Sequence, residues 1–203
     1  MVVIHFTAMD SCKAARDRLC DPQFEVSAHY LIGNDGAVLQ LVDEAMRAWH
    51  AGAGRWGDVT DVNSRSIGIE LDNTGAHPFS EPQMQALEAL LGGILDRWRI
   101  PPERVIGHSD MAPLRKGDPG PRFDWRRLAR GGLSVWPAEG AEGDFTDAAT
   151  SFGYAPDLSP EARLAAFRLR FRPWAEGPLT PEDSRAMADL AHRFPVDGGP
   201  GAA

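Results

Sequence analysis

Lysine is almost absent from this 203-residue chain: Lys13 and Lys116 are its only two, and arginine makes up the rest of its 21 basic residues. Set against 29 acidic residues, they leave a net charge of −8, which excludes the basic face that a phosphate-backbone binder presents. Nucleic acid is not expected as a partner. Long apolar runs are also missing, because charged residues, Gly or Pro break every run well short of the ~18 to 20 residues a membrane-spanning helix needs. Cysteine occurs only at Cys12 and Cys20. A helix over Ser11 to Asp21 would hold those two ~12 Å apart, beyond the ~7 Å limit of a disulfide, so both are expected as free thiols, in keeping with a reducing compartment. Met1-Val2-Val3-Ile4-His5 has neither a basic segment nor an apolar stretch with a cleavage site. As it stands the sequence points to the cytoplasm; a leader upstream of Met1 would point to the periplasm or envelope instead.

What is present, at 43% hydrophobic residues, suffices for one ordinary core and a small second one. Val2-Val3-Ile4 reads as a buried strand. Val26 to Ile32 and Ala37 to Val42 flank the turn-forming Gly33-Asn34-Asp35-Gly36, a hairpin pattern. Ser66 to Leu71 alternates, so Ile67, Ile69 and Leu71 share one face and Glu70 lies on the other. Ser80-Glu81-Pro82-Gln83 has the form of a capping box. It precedes Met84, Leu87, Leu91, Ile94, Leu95 and Trp98 at helical spacing, a long amphipathic helix ending before Pro101-Pro102. Arg104 to His108 reads as a strand ending in histidine. Strands alternating with helices predict an α/β domain with a central mixed sheet flanked by helices.

After Trp136-Pro137 the composition turns acidic and glycine-containing, which predicts a catalytic domain over 1–137, an acidic linker over 138–150, a helical module over 151–195 and a flexible tail over 196–203. Within the module, Ser159-Pro160-Glu161 and Thr180-Pro181-Glu182-Asp183 both look like helix starts.

Of the six histidines, His5 and His108 stand at the ends of apolar strands, and Asp118 follows in the rigid loop Arg115-Lys116-Gly117-Asp118-Pro119-Gly120. Two imidazoles and one carboxylate from separate elements form a typical three-ligand zinc set with a position left for water. A satisfied strand-end histidine and a turn-stabilising aspartate before proline are the plainer alternatives.

Val3-Ile4-His5-Phe6-Thr7, Val26-Ser27-Ala28-His29-Tyr30, Ala48-Trp49-His50-Ala51-Gly52, Asn63 with Ser66 to Leu71, Gly107-His108-Ser109-Asp110-Met111-Ala112-Pro113 and Arg115 to Pro121 occur in this order. Together they resemble the zinc N-acetylmuramoyl-L-alanine amidases, a family that includes muropeptide-recycling enzymes and, more distantly, phage amidases and animal peptidoglycan recognition proteins. The resemblance implies the peptidoglycan recognition protein-like fold and places Zn²⁺ on His5, His108 and Asp118. It implies catalytic roles for Glu70 and Lys116. Trp49, His50, Asn63 and Arg65 become candidates for substrate contact, whereas His29, His77 and His192 are read as structural. Phe152-Gly153-Tyr154 and the two helices after it are similar to a small peptidoglycan-binding domain, so a chain ending near Pro137 is expected to go on cleaving small muropeptides.

The chemistry so implied is hydrolysis of the amide joining N-acetylmuramic acid, or its 1,6-anhydro form, to L-alanine. Peptidoglycan or its fragments would be the partner of a monomer. Relatives of the phage and animal type carry a tyrosine where Ala28 stands, which leaves the base role to Glu70. The competing readings are a recognition module without catalysis and a phage-derived lytic amidase acting on whole wall.

Overall fold

The computed structural model describes residues 1–138, 140 and 142–196; the expected tail, apart from Val196, lies outside them, as do Glu139 and Ala141 of the expected linker. Five strands form one mixed sheet: β1 (Val2–Phe6), β2 (Tyr30–Ile32), β3 (Val38–Gln40), β4 (Ile67–Leu71) and β5 (Val105–Gly107), in spatial order β3-β2-β4-β1-β5. The pairs β2·β4, β4·β1 and β1·β5 are parallel, and the edge strand β3 pairs antiparallel with β2. A parallel strand in mid-sheet is covered on both faces. That explains why Val2, Val3 and Ile4 are all completely buried, whereas β3 at the edge is half exposed. The hairpin expected around Gly33 to Gly36 forms, with strands shorter than the apolar runs suggested.

One face of the sheet carries Val2, Ile4, Ile32, Ile69 and Leu71 and packs under α2 (Glu81–Trp98) through Met84, Leu87, Leu91 and Ile94. Ser80 caps α2 by accepting from the Gln83 amide. The reciprocal half of the capping box does not form: Gln83 is turned inward, its Nε2 donating to the carbonyls of Ile32 (2.8 Å) and Asp72 (3.1 Å) at the C-terminal ends of β2 and β4, and its Oε1 is without a partner among the described residues. Trp98 also departs from the expected stripe: it is 46% exposed, and its indole N–H donates to Glu44 at 2.6 Å. Of the two thiols, in α1 (Cys12–Cys20), neither is bonded. No described helix is long and apolar enough to cross a membrane.

The expected linker needs correction. Beyond α3 (His108–Met111) and α4 (Trp125–Arg130), residues Phe145–Phe152 form α5, capped by Asp144, whose carboxylate accepts from the Asp147 amide at 2.9 Å. Two acidic residues of that stretch, Asp144 and Asp147, are the helix cap and part of its first turn, while Phe145 and Ala149 are buried. Helices α6 (Pro160–Phe171) and α7 (Pro181–Arg193) begin at Ser159 and Thr180, as their caps predict. Nor do these helices keep a core of their own. Phe145, Phe152, Phe167, Phe171, Met187 and Leu190 merge with Val3, Trp56, Ile106 and Met111 into one continuous apolar cluster on the second face of the sheet. Toward the C-terminal ends of β1 and β4 that face is left uncovered, and a cleft opens there.

Candidate metal centre and active site

His5 and Glu70 are direct neighbours in the parallel register of β1 and β4, so their side chains leave the same face of the sheet. His108 is not the last residue of a strand, as expected, but the first of the short helix α3 (His108–Met111) immediately after β5. Asp118 arrives on the loop beyond, held by the Ser109 amide donating to its carbonyl at 2.9 Å.

These three residues meet closely. His5 Nδ1 lies 2.9 Å from His108 Nδ1 and 3.0 Å from an Asp118 carboxylate oxygen, and His108 Nδ1 lies 3.1 Å from that same oxygen. The surrounding hydrogen bonds decide which ring nitrogens carry protons. The Val62 carbonyl can only accept, so Ser66 Oγ donates to it at 2.5 Å and in turn accepts from His50 Nε2 at 3.3 Å. His50 Nδ1 is thereby left to accept from His5 Nε2 at 3.0 Å. The Ala51 carbonyl likewise takes the proton of His108 Nε2 at 2.8 Å. Both Nδ1 atoms therefore present lone pairs toward a carboxylate.

Three electron-pair donors converging at about 3 Å repel one another unless a cation lies among them, and a tetrahedral metal bonded at ~2.0–2.2 Å to each needs edges of about 3.3–3.6 Å, a few tenths of an ångström wider than those seen. The ionisation state of His5 agrees with a cation there. Burial pushes the His5 imidazolium down to about 4, keeping the ring neutral. Among the described residues this is the group suited to a metal ion.

The triad forms the floor of a cleft of about 510 Å³ whose walls include Glu70, Lys116, Trp49, Arg18 and Val26. Glu70 is largely buried, and its Oε2 has no hydrogen-bond partner among the described residues. Its pKa is pushed up to about 8 by desolvation first and the Asp118 charge second, with Lys116 acting in the opposite sense. A carboxylate poised in this way exchanges protons near neutral pH.

Comparison with known proteins agrees with this geometry. The family described as N-acetylmuramoyl-L-alanine amidase matches residues 1–121, and the amidase AmiD of Escherichia coli K12 is 36% identical over 93% of this chain and 80% of its own length. The chain belongs to the N-acetylmuramoyl-L-alanine amidase family. The 1,6-anhydro-N-acetylmuramyl-L-alanine amidase AmpD of the same organism is 43% identical over 51% of this chain and 56% of its own. Among solved structures, AmiD in complex with anhydro-N-acetylmuramic acid-L-Ala-D-γ-Glu-L-Lys superposes with a TM-score of 0.86 at 34% identity, covering 96% of this chain and 89% of that one. AMPDH3 of Pseudomonas aeruginosa, in complex with an anhydromuramic pentapeptide, also gives 0.86, at 29% identity, covering 97% and 92%.

In this amidase the four residues expected to touch substrate do not stay together. Trp49 stands on the cleft rim, 56% exposed, with the Arg47 guanidinium 4.5 Å from its ring centre. His50 lies beneath the cluster of His5, His108 and Asp118 as the acceptor for His5, packed so closely on β4 that a Cβ at Gly68 would come within 2.3–2.6 Å of its ring. Asn63 is buried and is a scaffold residue: its Oδ1 accepts from the amides of His50 (3.1 Å) and Ala51 (2.8 Å), fixing the segment that supports His5 and His108. Arg65 is turned away from the cleft, among residues on another side of the molecule. A run such as Trp49-His50-Ala51 looks like a binding segment in sequence because nothing local reveals that its middle residue points inward. His29 fits its structural reading, bridging the Met46 carbonyl and the Gly68 amide. On the cleft wall, Arg18 escaped notice because α1 reads as an ordinary surface helix, and Val26 because it reads as the start of an apolar strand.

Proposed function

We propose that His5, His108 and Asp118 hold a zinc ion and that the amidase cleaves the bond between the lactyl carbonyl of an anhydromuramoyl group and the L-alanine of a stem peptide. The observation that carries the metal assignment is the convergence of two imidazole lone pairs and a carboxylate, the imidazoles fixed from behind by His50 and the Ala51 carbonyl and the aspartate held through its backbone. When bound there, zinc supplies a Lewis acid for the amide carbonyl and for activating water. The anhydromuropeptides in the AmiD and AMPDH3 complexes support the choice of substrate.

Glu70 accepts the proton of the attacking water and returns it to the departing alanine nitrogen. Its burial and raised pKa suit both halves of that transfer. Lys116, on the cleft wall, directs its ammonium toward the oxygen that becomes negative as the carbonyl is attacked; one such donor is typically worth ~3 kcal/mol. The exposed face of Trp49 offers an apolar surface for a sugar ring.

The test is incubation of the zinc-loaded protein with anhydro-N-acetylmuramoyl tripeptide and with insoluble sacculi, reading products by mass spectrometry. Release of a peptide beginning at L-alanine from the soluble substrate is the expected result. Cleavage elsewhere, cleavage of sacculi alone, or iron or manganese in place of zinc at stoichiometric level would overturn the proposal.

A further inference from the structure

Two arginines on one turn of α6 are almost fully buried, and they serve different partners. Arg168 pairs with Asp183 at 2.5 Å, inside the C-terminal helices themselves. Arg170, 2% exposed, reaches across to the sheet domain: it donates to Asp110 at 2.7 Å, to the Val105 carbonyl at 2.9 Å and to Ser134 Oγ at 3.2 Å. The Trp125 ring lies 4.3 Å away. Asp110 is buried too, and the other oxygen of its carboxylate accepts from the Tyr154 hydroxyl at 3.0 Å. Burying an ion pair is weak support for stability in itself, since desolvation offsets most of the attraction. Such a pair does fix position.

What it fixes is the segment bearing a metal ligand. Asp110 Oδ2 also accepts from the Gly107 amide at 2.7 Å, closing a loop around His108, and the next amide, Ser109, donates to the Asp118 carbonyl at 2.9 Å. One carboxylate therefore sets the backbone of residues 107–110 and, through Ser109, the approach of the third ligand. We propose that Arg170 and Tyr154 are positioning residues for the metal centre, so that the C-terminal helices hold His108 and Asp118 in ligating geometry. This rests on the zinc assignment above.

The experiment uses full-length protein loaded with zinc and titrated with a competing chelator, well below each variant's melting temperature. Arg170→Met is expected to weaken zinc binding about 10- to 100-fold, the range found when groups supporting metal ligands are lost. Tyr154→Phe should weaken it in the same direction by less. The control is Arg168→Met, which removes an equally buried pair from the same helix without touching Asp110. It should melt lower and bind zinc like wild type. Unchanged zinc affinity in Arg170→Met and Tyr154→Phe, or an equal loss in Arg168→Met, would overturn the proposal. If Arg170→Met does not fold, Tyr154→Phe against Arg168→Met decides it. A wild-type protein that binds no zinc would instead refute the metal assignment itself.

Discussion

Glu70→Gln changes shape very little and removes a single ionisation, so its effects follow from the protonation of one carboxyl. In the metal-free protein the carboxyl has one oxygen without a partner and a pKa raised from 4.5 to about 8, through burial first and then the charge of Asp118. Below pH 4.5 the group is protonated both folded and unfolded, and the substitution should leave stability unchanged. Between 4.5 and about 8 the unfolded chain releases the proton while the folded protein keeps it, so wild type loses stability as pH rises; above about 8 the loss is complete. At 1.36 kcal/mol per pH unit the ceiling is about 5 kcal/mol, and water reaching the open cleft reduces it. Urea unfolding of metal-free wild type and Glu70→Gln should give equal stabilities below pH 4.5 and a variant more stable by a few kcal/mol above pH 8. The same variant, zinc-loaded, should retain its metal and lose roughly two to four orders of magnitude in kcat. A stability difference that is flat with pH would refute the burial argument. Turnover above about a tenth of wild type would refute the assignment of Glu70 as base.

Asp118→Ala should fold and lose stoichiometric zinc, measured by metal analysis after mild chelation, because two imidazoles alone leave the site without its anionic ligand. Lys116→Ala should lower kcat by about 10²- to 10³-fold with little change in zinc content, read by steady-state kinetics beside metal analysis. Gly68→Ala places a methyl within 2.3–2.6 Å of the His50 ring, so it should cost about 1–3 kcal/mol in urea unfolding and weaken zinc binding by displacing the acceptor of His5. A chain ending at Pro137, expected from sequence to cleave small muropeptides on its own, should instead aggregate and fail to hold zinc. It uncovers Val3, Trp56, Ile106 and Met111 and strips Asp110 of Arg170 and Tyr154; size-exclusion chromatography with zinc analysis reads both effects.

Features coded within a few residues were legible in the sequence. The caps at Ser80, Ser159 and Thr180 each bond an amide three positions on, the apolar stripe of α2 repeats at helical spacing, and Val2 to Ile4 is uniformly apolar as a strand buried on both faces must be. The grouping of His5, His108 and Asp118 was legible because a set able to hold a metal draws on few residue types, here two histidines beside strand ends and an aspartate in a rigid loop. Roles that depend on which elements stack were not. The fate of His50 and Asn63, rim or underlayer, is decided by β4 approaching closely enough at Gly68 to seat an imidazole. The end of the acidic stretch becomes helix α5 because Phe145 and Ala149 find a core supplied by α7 and α6. Arg170 and Asp110 stand 60 positions apart, each flanked by residues of ordinary pattern, and no local periodicity links them. Burying a charge is tolerated only where a partner waits, and tertiary packing alone brings that partner into place.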